Sequence, residues 1–119
     1  KNVVVEDEGM LLKALNMQLL SSDFEVFSAS DGVAGLELIK EMKPDLVLLD
    51  IVMPKMNGFE VLEELKKDKS TKSIPVIILS NLGQDSDKEK GMKLGAVDYY
   101  IKASTNLSDI TEKINKILK

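Results

Sequence analysis

Asp50 closes the segment Asp45-Leu46-Val47-Leu48-Leu49-Asp50, in which an apolar run of strand length delivers a carboxylate at its end. A second acidic pair, Glu6-Asp7, ends another such run, Val3-Val4-Val5. In a parallel α/β sheet the carboxyl ends of the strands line one edge, and ligands bind there where the strand order reverses. Three carboxylates gathered on that edge would repel one another unless a cation sat among them. The chemistry such a grouping suggests is a magnesium-dependent phosphoryl site.

Elements that could carry these residues alternate along the chain. Strand candidates are Asn2 to Val5, Phe24 to Ser28, Leu46 to Leu49, Val76 to Leu79 and Asp98 to Ile101. Between them run stripes of helical period: Met10, Leu11, Ala14, Leu15 and Gln18 to Leu20, then Val33, Leu36, Leu38 and Ile39. Phe59, Val61, Leu62 and Leu65 form a third, and Leu107, Ile110, Ile114 and Ile117 a last. Breakers separate the pieces at Asp31-Gly32, Pro44, Asn57-Gly58, Pro75, Gly83 and Gly95. Strand–helix alternation of this kind predicts a parallel α/β sheet with helices on both faces. Five strands suit the doubly wound, flavodoxin-like order 2-1-3-4-5. The segment 84–93 should be the fourth helix, yet it holds one large apolar residue and an internal glycine. That glycine costs about 1 kcal/mol relative to alanine, so this helix is expected to be the least stable and mobile.

Bulk properties narrow the field. At 119 residues the chain is expected to be one domain, spanning 1–119, with 44% hydrophobic and 30% charged residues, a globular balance. A net charge of −4 argues against nucleic acid as its partner. No run of 18 apolar residues exists to span a membrane, and no signal-peptide pattern opens the chain, which starts at Lys1 and not at methionine. Cysteine is absent, which removes disulfides, thiolate catalysis and zinc–sulfur sites and fits a reducing, cytoplasmic setting. Histidine is absent too, so any imidazole chemistry must come from another molecule.

Four segments together resemble the receiver domain of two-component response regulators along the whole chain: VVVEDE, LVLLDIVMPKMNGFE, VIILS and GAVDYYIK. Any one is weak; all four in order, spaced through five βα units, are specific. The resemblance implies that Asp50 is a phosphoacceptor. It implies that Glu6, Asp7, Asp50 and the main-chain carbonyl of Val52 hold Mg²⁺, that Lys102 and Ser80 contact the phosphoryl group, and that Tyr99 is the switch aromatic. Mg²⁺ prefers octahedral oxygen ligation and keeps several waters, so two or three carboxylates plus phosphate suffice. The implied partners are a sensor histidine kinase or histidine phosphotransfer protein, an output domain or effector, and a phosphorylation-dependent second copy. The resemblance also implies a signalling domain, not an enzyme in the ordinary sense, that relays its change to the face of the fourth helix, fifth strand and fifth helix.

Taken singly, these residues have plainer readings. An aspartate after an apolar strand is more often a turn or helix cap. Glu6-Asp7-Glu8 could charge a helix N-terminus, as Glu8 is expected to. Ser80 could start a helix, Lys102 could be one solvated lysine among many, and one of Tyr99 and Tyr100 must face inward as packing.

The family has a proline with a cis peptide after its lysine; this chain has Ala103. A cis bond before a non-proline residue costs roughly 2.5–4 kcal/mol, which predicts a trans Lys102–Ala103 bond. Val52 and Leu82 are apolar where polar side chains would position an attacking water, so a slowly hydrolysed aspartyl phosphate is expected. Two rivals stand beside this reading. An unphosphorylated interaction module on the same fold would not use the acidic set. An aspartate-based phosphohydrolase would need an acid where Val52 stands.

Overall fold

A computed structural model of the chain describes residues 2–5, 26–53, 55–102 and 106–118. Five strands, β1 (Asn2–Val5), β2 (Val26–Ala29), β3 (Leu46–Leu49), β4 (Val76–Ser80) and β5 (Asp98–Ile101), form one sheet in the order β2-β1-β3-β4-β5. Every neighbouring pair is parallel. β2 runs to Ala29, one residue beyond the expected end, and residues 24–25 of its expected start lie outside the described residues. β4 likewise extends one residue, to take in Ser80. The apolar stripe expected to form a helix around Met10 to Leu20 also lies outside the described residues.

β3 and β4 are buried at every position, which is why they read as unbroken apolar runs and not as alternating ones. The described helices are Gly32–Met42, Gly58–Lys67, Asp85–Lys93 and Leu107–Leu118. Each begins where polar chemistry allows it. Asp31 accepts from the Ala34 amide at 2.8 Å, capping the first of them. Asn57 and Glu60 form a reciprocal capping box at the second, with distances of 3.0 and 3.1 Å. Phe59, Val61, Leu62 and Leu65 of that helix then face the core, joining Val3, Val47, Leu49 and Ile78 from the sheet. The helix Asp85–Lys93 has only Gly91 buried, so its hold on the core is thin.

Candidate site at the carboxyl edge of the sheet

Register brings the chemistry together. Val5 pairs with Leu49, and the Asp50 amide donates to the Val5 carbonyl at 3.0 Å. The residue after β3 is thereby tied to the end of β1, the strand from which Glu6 and Asp7 continue. On the other side of β3, Leu49 pairs with Ile78, and Ser80 pairs with Ile101, the residue before Lys102. Three strand ends thus carry Asp50, Ser80 and Lys102 to one edge.

Asp50 is 4% exposed. Its Oδ1 accepts from the Ile51 amide at 2.7 Å, and its Oδ2 accepts from Lys102 Nζ at 3.0 Å. The Lys102 side chain is itself only 8% exposed. A carboxylate so far from water has both oxygens met, one by a cation and one by an N–H, each fixed by the fold.

The loop after Asp50 turns back sharply. The Gly58 amide donates to the Ile51 carbonyl at 2.8 Å, and a Cβ on Gly58 would stand 2.1 Å from the Asp50 carbonyl oxygen. No side chain fits there, so Gly58 is what lets the helix start against the Asp50 backbone. The Asn57-Gly58 dipeptide reads in the sequence as a breaker between elements, but nothing local announced this contact. Val52, in the same loop, is 60% exposed.

Ser80 is fully buried, and its Oγ accepts from the Leu82 amide at 3.3 Å. That leaves the hydroxyl proton to donate elsewhere. The Leu82 carbonyl accepts from the Tyr99 hydroxyl at 2.6 Å. Both main-chain groups of Leu82 are therefore engaged by the two side chains that the family resemblance pairs as a switch. Of the two tyrosines, Tyr99 is the buried one and Tyr100 the half-buried one. Burial pushes the Tyr99 hydroxyl above the usual phenol range; the charge of Asp87 adds to this, the Ser80 hydroxyl partly offsets it, and Asp50 raises it further.

Sequence reasoning passed over one more contact. Gly91, read as a weakness in its helix, is buried: a Cβ there would meet Ile78 Cδ1 at 2.7 Å and Tyr99 Cδ2 at 3.2 Å. The glycine lets the helix lie directly on the Tyr99 ring.

Glu6, Asp7 and the Lys102–Ala103 bond lie outside the described residues. Among the described residues no group of three or more His, Cys, Asp or Glu could hold a metal. Donors present at the edge are the Asp50 carboxylate and the main-chain carbonyls of its loop. All are hard oxygens, of the type that suits Mg²⁺ and not a thiolate-seeking or imidazole-seeking metal.

Residues 3–115 match the profile of the response regulator receiver domain, and the chain belongs to that family. It is 40% identical over 102 residues to the probable transcriptional regulator ycf27 of Guillardia theta, covering 86% of this chain and 39% of that protein. It is 37% identical to Protein PilH of Pseudomonas aeruginosa, covering 98% of this chain and 95% of PilH. The chain thus spans under half the length of the transcriptional regulators it matches and nearly all of PilH. Among solved structures, the BeF3-activated receiver domain of Klebsiella pneumoniae RstA superposes with a TM-score of 0.90 at 28% identity, over 99% of this chain and 97% of that one. The Mn(2+)-bound response regulator Rcp1 superposes with a TM-score of 0.81 at 29% identity, over 98% of this chain and 89% of that one. Receiver domains are signalling domains of two-component systems and not enzymes of the ordinary kind. Among the described residues no helix is long and apolar enough to cross a membrane.

Proposed function

We propose that this chain is a single receiver domain, residues 1–119, that works in the cytoplasm as a phosphorylation-activated switch on the doubly wound, flavodoxin-like 2-1-3-4-5 fold with helices on both faces. Asp50 is the phosphoacceptor. The single observation that carries this reading is its buried carboxylate, paired with Lys102 at 3.0 Å on the edge where β1, β3 and β5 end.

The donor is a phosphohistidine on a sensor histidine kinase or phosphotransfer protein, since this chain holds no histidine. An Asp50 oxygen forms the new P–O bond while the P–N bond breaks, and the imidazole nitrogen keeps the electron pair and takes up a proton. Lys102 then exchanges its carboxylate contact for a phosphoryl oxygen, a short move for an ammonium already 3.0 Å away. Ser80 turns its hydroxyl proton from Tyr99 to another phosphoryl oxygen. Glu6, Asp7, Asp50 and the Val52 carbonyl would hold Mg²⁺, which neutralises charge on the transferring group. That a similar response regulator, Rcp1, has a Mn(2+)-bound form supports a role for a divalent cation. Tyr99 follows Ser80 through Leu82, and the face of Asp85–Lys93, β5 and Leu107–Leu118 meets an output domain, an effector or a second copy.

Intact-mass spectrometry after incubation with acetyl phosphate tests this, with and without Mg²⁺, on wild type and Asp50→Asn. A single magnesium-dependent phosphate adduct, lost in the variant, is expected. No adduct from acetyl phosphate or other small donors would overturn the reading in favour of an unphosphorylated interaction module.

A further inference from the structure

The loop after Asp50 is fastened to a second element besides the helix it leads into. Its ends are closed by the Gly58 amide, which donates to the Ile51 carbonyl at 2.8 Å. Lys55, between those ends, has a φ of 69°, in the left-handed region where a side chain crowds its own backbone. A lysine keeps such a conformation only where its surroundings impose it. Two contacts with the start of the helix Gly32–Met42 do so here. The Met56 carbonyl is seated against Gly32, where a Cβ would collide with it, so only glycine fits. The Lys55 ammonium lies 3.8 Å from Asp31 Oδ2. The other oxygen of Asp31 accepts from the Ala34 amide at 2.8 Å and caps that helix. One carboxylate, 19% exposed, thus joins the helix start to the phosphoacceptor loop.

We propose that Asp31 and Lys55 are positioning residues for the divalent cation, bracing the loop whose Val52 carbonyl is read above as a ligand. The inference rests on that reading. A free loop must give up conformations when a metal takes one of its carbonyls, and the brace removes those conformations beforehand. Neither residue is itself a ligand: Lys55 is a cation, and Asp31 has its oxygens committed to Ala34 and Lys55.

Charge alone predicts the opposite of the brace. Lys55 is a cation on the loop that would hold another cation, so removing its charge should tighten metal binding. Removing the brace weakens it. Mn²⁺ serves as the probe, its free concentration read from its electron paramagnetic resonance signal in titrations of the wild-type chain and its variants. Asp50→Asn should weaken binding, which marks the ion's place. Lys55→Gln is expected to raise the Kd about two- to three-fold, within the roughly five-fold that an exposed ion pair is worth. Lys55→Arg, which keeps the cation, should match wild type. So should Lys67→Gln, which removes an equally exposed lysine from the helix Gly58–Lys67. In an Asp31→Asn background, where asparagine still caps the helix, Lys55→Gln should raise the Kd no further. Thermal midpoints of the Lys55 variants should barely move, because so exposed a pair adds little to global stability. An unchanged or lowered Kd in Lys55→Gln, or an equal rise in the Asp31→Asn background, overturns the brace and leaves the cation reading standing. Mn²⁺ binding that is absent from the wild type, or untouched by Asp50→Asn, removes the cation reading and the brace with it.

Discussion

Lys102 and Asp50 stand 52 residues apart in the chain and 3.0 Å apart in space, with both side chains withdrawn from solvent. Removing one member of such a buried pair leaves the other charge without compensation. Lys102→Met is expected to destabilise the domain by about 3 kcal/mol, read as a fall in the urea midpoint with an unchanged slope. It should also lose the acetyl phosphate adduct, because no ammonium remains to meet the phosphoryl oxygens. A variant that unfolds like wild type and still takes phosphate would contradict the role given to the lysine.

Gly58→Ala tests the closeness of the helix start to the Asp50 loop. The added methyl would fall 2.1 Å from a backbone oxygen, which has no rotamer to yield. A loss of about 3 kcal/mol is expected, the upper range for overpacking, against the gain alanine would ordinarily bring to a helix. Stability equal to or above wild type in chemical denaturation would show that the loop has slack.

Tyr99 makes a prediction about alkaline pH. Its hydroxyl is raised above 10.0 in the folded state by burial and by Asp87. Above that value the unfolded chain has released its proton while the folded one retains it, so stability falls as pH rises. The contribution is fully present below pH 10 and is lost as the pH climbs through the raised folded value. Tyr99→Phe should flatten this alkaline decline in part, since Tyr100 is also raised, by its burial first and by Asp98. The same variant gives up the bond to the Leu82 carbonyl, about 1 kcal/mol at neutral pH. Thermal melts at pH 7 and above pH 10 separate the two effects.

The lifetime of the aspartyl phosphate should be long. Val52 is exposed beside the acceptor and Leu82 is half-buried, and neither side chain can orient a water for attack. Adduct decay after donor removal, followed by mass, is expected to take minutes or more, and Val52→Glu should hasten it. Complete loss within seconds in the purified wild type would rule this out.

Much of the site was legible because strands buried on both faces read as apolar runs, and the residue that ends such a run marks the sheet edge. Asp50 stood out by that rule, whereas Ser80 and Lys102 were singled out through the family resemblance together with their places at strand ends, and Tyr99 over Tyr100 through the resemblance alone. What hid from the sequence were contacts between residues distant along the chain. Gly91 reads locally as a flaw in a helix, and only the Tyr99 ring eight residues on gives it a purpose. The Lys55–Asp31 contact has no local signal at all, since an exposed lysine is the commonest of surface residues. Strand ends shifted by a residue, as at Ser80 and Ala29, because hydrogen-bonded pairing carried on past the apolar pattern.

The absent methyl at position 91 also decides how closely the helix Asp85–Lys93 seats on the last strand. With Ile78 and the edge of the Tyr99 ring already filling the space a side chain would take, helix and ring mesh like teeth without backlash. A side chain at this position would hold the two apart, whereas the glycine brings the helix backbone up to the ring. The glycine that weakens the helix by itself is thus also its one buried foothold, so the same residue loosens the helix and seats it.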